Sequence, residues 1–164
     1  MEVLFRAFQR QDMDALFFLE QRCYPEPYRF RFGQLLNTLL DKNVVSLVAE
    51  VVEDPPPGHT GLAAGLIVRL EPEQKRLVVL TLMVTEALRR QGLGRRLLEK
   101  SIALGRKSGH EALVVPVEKG NEEASLFLMA CGLESHNELT PFFTRPEEGA
   151  VWRMGLENVD AQGT

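Results

Sequence analysis

The nine residues Arg76-Leu77-Val78-Val79-Leu80-Thr81-Leu82-Met83-Val84 limit what this chain can fold into more than any other stretch. The run is almost unbroken in apolar character and rich in β-branched residues. It predicts a strand buried on both faces. After Thr85 to Leu88 comes Arg89-Arg90-Gln91-Gly92-Leu93-Gly94. From Arg95 the apolar positions 97, 98, 101/102 and 104/105 fall at helical spacing. Buried strand, glycine turn and amphipathic helix form a layout that binds phosphate. Glycines lack Cβ, so backbone N–H groups can approach an anion. Unpaired amides and the dipole at a helix start favour negative charge. Arg89, Arg90, Arg95 and Arg96 add positive potential. The other reading of these residues is a tight strand-to-helix turn with a solvated basic face. The agreement of strand, spacing and helix favours the phosphate site.

A chain of 164 residues fits one domain, expected over residues 1–156, with a loose tail at 157–164. Hydrophobic residues at 45% and charged residues at 26% are ordinary for a soluble globular protein. The net charge of -4 argues against nucleic acid as a partner, with the arginine cluster a local exception. Cys23 and Cys131 each fall in a predicted helix, as core thiols rather than a disulfide framework. His110 and His136 read as loop histidines, and the three scattered histidines have no metal-ligand spacing, so no metal is expected. The N-terminus lacks a signal-peptide design, and no apolar run is long enough for a bilayer. A cytoplasmic protein without membrane association is the expectation, as a monomer or homodimer.

The elements follow in order. Val3 to Phe8 predicts a first strand. Asp12 is placed to cap a helix that buries Met13, Leu16, Phe17 and Cys23. Two prolines make Cys23 to Tyr28 a loop. A second helix is predicted over 30–41, burying Phe32, Leu35, Leu36, Leu39 and Leu40. Strands at 44–52, 61–70 and 76–84 form an antiparallel meander, with a stiff exposed loop at Asp54 to Gly58. The small residues Gly61, Ala63, Ala64 and Gly65 mark a bulge or a close backbone approach. After the helix that follows Gly94, Lys107 to His110 is a stop. The strand at 112–117 then runs parallel to 76–84. Asn121 caps a helix whose first turn holds Glu122 and Glu123, with Ala124, Phe127, Leu128 and Cys131 on one face. Gly132 stops it. Two short strands complete the chain around a loop from Thr140 to Gly149.

The segment Arg89-x-x-Gly92-x-Gly94 after a central strand resembles the acyl-CoA motif of the GNAT superfamily of N-acetyltransferases. Within it the chain is most similar to ribosomal-protein alanine N-acetyltransferases of the RimI type. Pro116-Val117-Glu118-Lys119-Gly120-Asn121 and Phe127-Leu128-Met129-Ala130-Cys131-Gly132-Leu133 stand where that group has a Glu-Val-Arg-x-x-Asn strand end and a Leu-Tyr-x-x-x-Gly-Phe helix end. The resemblance implies a mixed α/β (α+β) fold. A mostly antiparallel sheet is flanked by helices, and a central parallel strand pair splays at the CoA site. It implies acetyl-CoA as the acyl-donor substrate, held by Arg89, Arg90, Gln91, Gly92, Leu93, Gly94 and Arg95, with Asn121 nearby. The strand end Leu82-Met83-Val84 would pair with the pantetheine arm and polarise the thioester carbonyl. Tyr28, Phe142 and Phe143 correspond to residues that line the acceptor groove. The same aromatics could simply pad the core.

The chain departs from the family at two chemical positions. The usual general base falls on Pro116 and the usual general acid on Leu128, and neither can move a proton. Positioning and carbonyl polarisation carry a large share of acyl transfer in their own right. An amine is mostly protonated at neutral pH, so a base is still needed. Glu86, just past the central strand, and Glu118, at the end of its neighbour, are the candidates, each weighed against a solvated surface carboxylate. The leading expectation is acetyl transfer from acetyl-CoA to a primary amine, with a protein or peptide N-terminus in view. A non-catalytic acyl-CoA-binding module is the alternative. A dinucleotide-binding domain fits less well, because Leu97 stands where a third glycine belongs.

Overall fold

The strand run at 76–84 takes a place inside the sheet of this computed structural model, with Leu77, Val78, Val79, Thr81 and Met83 buried. The structure describes residues 1–54, 61–136, 139 and 141–156. Most of the proline loop after Asp54, Thr140 at the head of the late loop and the tail from Glu157 lie outside them. The elements are β1 (Glu2–Ala7), α1 (Met13–Cys23), α2 (Phe32–Leu40), β2 (Val44–Glu53), β3 (Leu62–Glu71), β4 (Arg76–Val84), α3 (Leu93–Lys107), β5 (Ala112–Glu118), α4 (Glu122–Ala130), β6 (Glu134–His136) and β7 (Gly149–Gly155). The sheet order is β1-β2-β3-β4-β5-β7-β6, mostly antiparallel, with β4 and β5 parallel. The chain gathers into two compact units, Met1–Arg69 with Thr81–Glu99, and Leu70–Leu80 with the chain from Lys100 onward.

In the first unit β2 pairs antiparallel with β1 and with β3. The β2–β3 register passes from Ala49↔Ala64 to Glu50↔Leu62, so Ala63 is an extra residue in β3. The Ala63 carbonyl accepts from the Thr85 N–H at 2.9 Å, which fixes the chain where it leaves β4. A Cβ on Gly65 would lie 2.7 Å from Leu16 Cδ1 and 3.1 Å from Met83 Cε. The small residues of β3 thus serve both expected purposes, a bulge and a close approach.

Two helical expectations change. Asp12 does not cap α1 through its side chain. A short 3-10 turn, Arg10–Asp12, precedes the helix, and the Asp12 carboxylate accepts from the Gln9 N–H at 2.7 Å. It also accepts from both terminal nitrogens of Arg6, at 2.7 and 2.8 Å, while Arg6 Nε reaches Glu50 at 2.9 Å. Hydrogen bonding from Arg6 outweighs burial and holds the Asp12 carboxyl below its ordinary value. In α2 only Leu35 is fully buried, and Leu40 is 71% exposed. Phe32, Leu36 and Leu40 recur every four residues and form one exposed row, while the Leu35 row turns inward. The apolar stripe is wider than the contact that a nine-residue helix makes.

In the second unit Arg76–Val78 lie parallel to Ala112–Val114, and both strands continue past that register. β7 runs antiparallel to all of β5, from Ala112↔Gly155 to Glu118↔Gly149, and β6 pairs with β7. His136 is therefore a strand residue. His110 lies in a connection but is buried, with Nδ1 2.7 Å from Ser108 Oγ. Asn121 Oδ1 caps α4 by accepting from Ala124 N–H at 3.1 Å. At the other end Gly132 takes φ +92°. There Leu133 N–H bonds the Leu128 carbonyl and Gly132 N–H the Met129 carbonyl, both at 3.0 Å.

Two outcomes test these contacts. A Cβ on Gly149 would stand 2.5 Å from the Val117 carbonyl oxygen and inside the Phe143 ring. Gly149→Ala should lower the urea-derived stability by about 1–3 kcal/mol; an unchanged midpoint would refute this packing. Because the folded Asp12 pKa is depressed below 3.8, its stabilisation exists above that pH and fades as pH falls through the folded value. Asp12→Asn should cost about 2 kcal/mol at pH 7. The gap to wild type should close below pH 3.8 in acid unfolding series.

Candidate functional site

The chain from Val84 to Gly94 is a loop built to hold its backbone in one shape. Thr85 N–H is tied to Ala63, a 3-10 turn spans Glu86–Leu88, and Leu88 is buried. Arg89 Nε then donates back to the Val84 carbonyl at 3.1 Å. Arg90 takes φ +65° and Gly92 φ +81°. Left-handed backbone costs an L-residue roughly 1–2 kcal/mol, and such conformations collect at functional sites. The first helical bond of α3 runs from Arg96 N–H to the Gly92 carbonyl at 3.0 Å. Helix geometry leaves the amides of Leu93 and Gly94 without intrahelical acceptors. The buried Leu93 side chain anchors the helix start, while Arg90, Gln91, Gly92 and Arg95 are exposed. Arg96 is committed elsewhere, with its guanidinium 4.2 Å above the Phe5 ring. Amides without intrahelical acceptors at the start of α3 thus stand beside exposed Arg90 and Arg95.

The strand end that leads into this loop carries a polar network with α1. Thr81 Oγ1 donates to Glu20 Oε2 at 2.9 Å, and Phe30 N–H donates to Glu20 Oε1 at 3.1 Å. Glu20 is 1% exposed. The Tyr24 hydroxyl donates to the Leu82 carbonyl at 2.9 Å and accepts from the Leu82 N–H at 3.4 Å. Burial, the largest influence, pushes the Tyr24 phenol up to about 12, against the lowering influence of neighbouring Thr81 and Leu82. The Cys23 thiol meets the Val84 carbonyl at 3.6 Å and Arg89 Nη2 at 3.8 Å. Burial pushes the Cys23 thiol up more than Arg89 pulls it down. Glu20 lies outside every motif of the sequence. Its signal was the four-residue spacing Leu16, Glu20, Tyr24, which sets a carboxyl and a phenol in line with a core leucine.

The remaining candidates divide between the units. In the first, Glu86 is exposed at the head of the 3-10 turn, and Tyr28 is 53% exposed in the loop after α1. In the second, half-buried Glu118 accepts from Asn121 Nδ2 at 3.1 Å, so the Asn121 side chain serves both this carboxylate and the start of α4. Phe142 and Phe143 are half-buried and pack on Val78, Val114 and Val151, and Arg76 lies 5.3 Å over the Phe142 ring. Leu128 is buried, and Pro116 is a β5 residue opposite Val151. Among the described residues no group of three or more His, Cys, Asp or Glu is arranged to hold a metal ion, and no helix is long and apolar enough to cross a membrane.

Strand β4, a turn with left-handed Arg90 and Gly92, and the start of α3 follow one another in this order. Residues 13–133 match the model of the Acetyltransferase (GNAT) family, and the chain belongs to that family. Its fold is similar to that of the ribosomal-protein-S18-alanine N-acetyltransferase from Escherichia coli, with a TM-score of 0.73, 17% identity, and 96% of each chain covered. It is also similar to Arabidopsis thaliana NAA60 in complex with a bisubstrate analogue, at TM-score 0.75 and 17% identity, covering 94% of this chain and 98% of that one. The spermidine/spermine N-acetyltransferase SpeG from Vibrio cholerae gives TM-score 0.68 and 14% identity, covering 99% of this chain and 98% of that one. No curated protein matches the sequence significantly.

Thr81→Val removes one donor from the buried Glu20 carboxyl and should cost about 1–3 kcal/mol in chemical denaturation. Thr81→Ser should restore most of the loss. Equal stability of the valine and serine variants would show that the hydroxyl is unimportant.

Proposed function

We propose that this protein transfers the acetyl group of acetyl-CoA to a primary amine. The observation that carries the reading is the loop from Arg89 to Gly94, with unpaired amides at the start of α3 beside Arg90 and Arg95. That arrangement suits a pyrophosphate. The pantetheine arm would run along the backbone of Leu82, Met83 and Val84 toward α1; Met83 would contribute main chain only, since its side chain is buried. Family membership supports acyl transfer, and the named activities of structurally similar proteins make amines the acceptor class to test first. A peptide or protein N-terminus heads that class, with Tyr28 offered on the exposed side of the first unit, and Phe142 and Phe143 as candidates in the second.

The chemistry asked of the protein is modest. A thiolate is a good leaving group, and a positioned proton donor contributes about two to four orders of magnitude. Leu128 and Pro116 supply no proton transfer, so rate must come from alignment of donor and amine and from stabilised charge on the carbonyl oxygen. Glu86 and Glu118 are the carboxylates for taking the amine proton. The alternative of a non-catalytic acyl-CoA-binding module draws on the same loop and on buried Leu128.

Acetyl-CoA at a hundredfold excess over its dissociation constant should stabilise the protein by about 2.7 kcal/mol, read as a rise in Tm. Gly94→Asp should abolish that rise. A carboxylate there repels phosphate, yet suits a helix N-terminus, so the variant should still fold. A rise that survives in Gly94→Asp would put the site elsewhere. Ligand-induced stabilisation without turnover over a panel of peptides and polyamines would select the binding module.

A further inference from the structure

Leu82 has both of its peptide groups engaged by one side-chain oxygen. Its carbonyl accepts from the Tyr24 hydroxyl at 2.9 Å, and its N–H donates to the same hydroxyl at 3.4 Å. In a strand the N–H and C=O of one residue point to the same side and normally bond a neighbouring strand. Here a phenol sits where such a partner would be. The two bonds are unequal. The one to the carbonyl has ordinary length, whereas 3.4 Å is beyond the usual range for N–H···O, so the Leu82 N–H is only loosely held. An acceptor with a better approach can take it.

The phenol is held in place from its own side as well. Tyr24 ends α1, with its N–H bonded to the Glu20 carbonyl at 3.1 Å. The Glu20 side chain is in turn bonded to Thr81, the residue before Leu82. Helix end and strand end are thus joined at two consecutive strand positions, 81 and 82, by Glu20 in α1 and by Tyr24, the residue that follows the helix. What remains adjustable is the hydroxyl hydrogen, which rotates to suit its acceptor.

The family resemblance already points the main chain at this strand end toward the thioester carbonyl; we propose that the Tyr24 O–H is a second donor, beside the Leu82 N–H, to the carbonyl oxygen of the transferred acetyl group. This rests on the reading that acetyl-CoA lies along Leu82 to Val84. As the amine nitrogen bonds the carbonyl carbon, the C=O π pair moves onto oxygen and the two donors stabilise it. When the pair returns, the C–S bond breaks and its electrons leave with the thiolate. The nitrogen proton passes to a carboxylate or to solvent. Tyr24 does not hand over its own proton. Its phenol, near 12, is a far weaker acid than an ordinary thiol at about 8.5, so transfer to the thiolate runs uphill. The same elevation keeps it a donor at every working pH. Removing one donor from such a site typically costs about 10²–10³ in kcat.

Tyr24→Phe keeps the ring and removes only the hydroxyl. With acetyl-CoA and an accepted amine, kcat should fall about 10²–10³-fold while KM for acetyl-CoA changes little, since the lost bond matters most in the transition state. The carbonyl stretch of bound, carbonyl-labelled acetyl-CoA gives a second readout that needs no amine. It should lie below the solution frequency in wild type and return toward that frequency in the variant. A variant with unchanged stretch overturns the proposal, even if kcat falls, because the hydroxyl would then act through packing. Equal turnover of both proteins overturns it too and leaves acetyl transfer standing. A stretch that shifts as expected, with no amine acetylated by wild type, supports the donor pair and sinks the transfer reading. Absence of any bound-carbonyl signal in wild type overturns both.

Discussion

The Glu20 carboxyl is the constraint on which the first unit depends. A carboxyl buried to 1% exposure must find donors, and it finds them on two separate segments, the Thr81 hydroxyl of β4 and the Phe30 N–H before α2. Gln21 adds a bond to the Phe30 carbonyl at 2.8 Å, so both peptide groups of Phe30 are held by neighbouring α1 side chains. Helix, strand and the loop between the two helices are thereby fixed to each other by polar contacts that tolerate no slippage. Hydrophobic packing alone would accept small shifts. Leu16 against the strand backbone at Gly65 sets the distance, and Glu20 sets the register.

That register determines what the end of β4 can offer. With Thr81 bound to Glu20, Tyr24 meets Leu82, and Cys23 meets Val84 and Arg89. Arg89 closes the loop onto the strand. Beyond it, Arg90 and Gly92 take left-handed conformations and the amides at the start of α3 lie open. A buried carboxyl, a phenol, a thiol and a guanidinium meet the strand within four residues, Thr81 to Val84. The chemistry proposed for the site uses main-chain donors made available by this tying, more than any titrating side chain.

Much of this was legible in the sequence. The apolar run at 76–84, the glycine spacing after it, and the helical periodicity from Leu97 pointed to the central strand, loop and helix, because each is a local pattern with a local cause. The small residues of β3 announced a bulge and a close contact for the same reason. What stayed hidden depends on partners distant in sequence. Asp12 looks like a cap until Arg6 is seen to claim it. The α2 leucines look uniformly buried until the width of the contact is known. Glu20 and His110 look like ordinary surface residues until packing covers them.

The tie between Glu20 and Thr81 spans 61 residues, and that between Tyr24 and Leu82 spans 58. Chains are made from the N-terminus at about 5–20 residues per second, so roughly 3 to 12 s separate the synthesis of α1 from that of its strand partner. For that interval Glu20 lacks its Thr81 donor, and α1 lacks the strand that it is tied to. The first unit therefore cannot close ahead of β4 on the ribosome. Helix α1 can take its final place only once the central strand has been made.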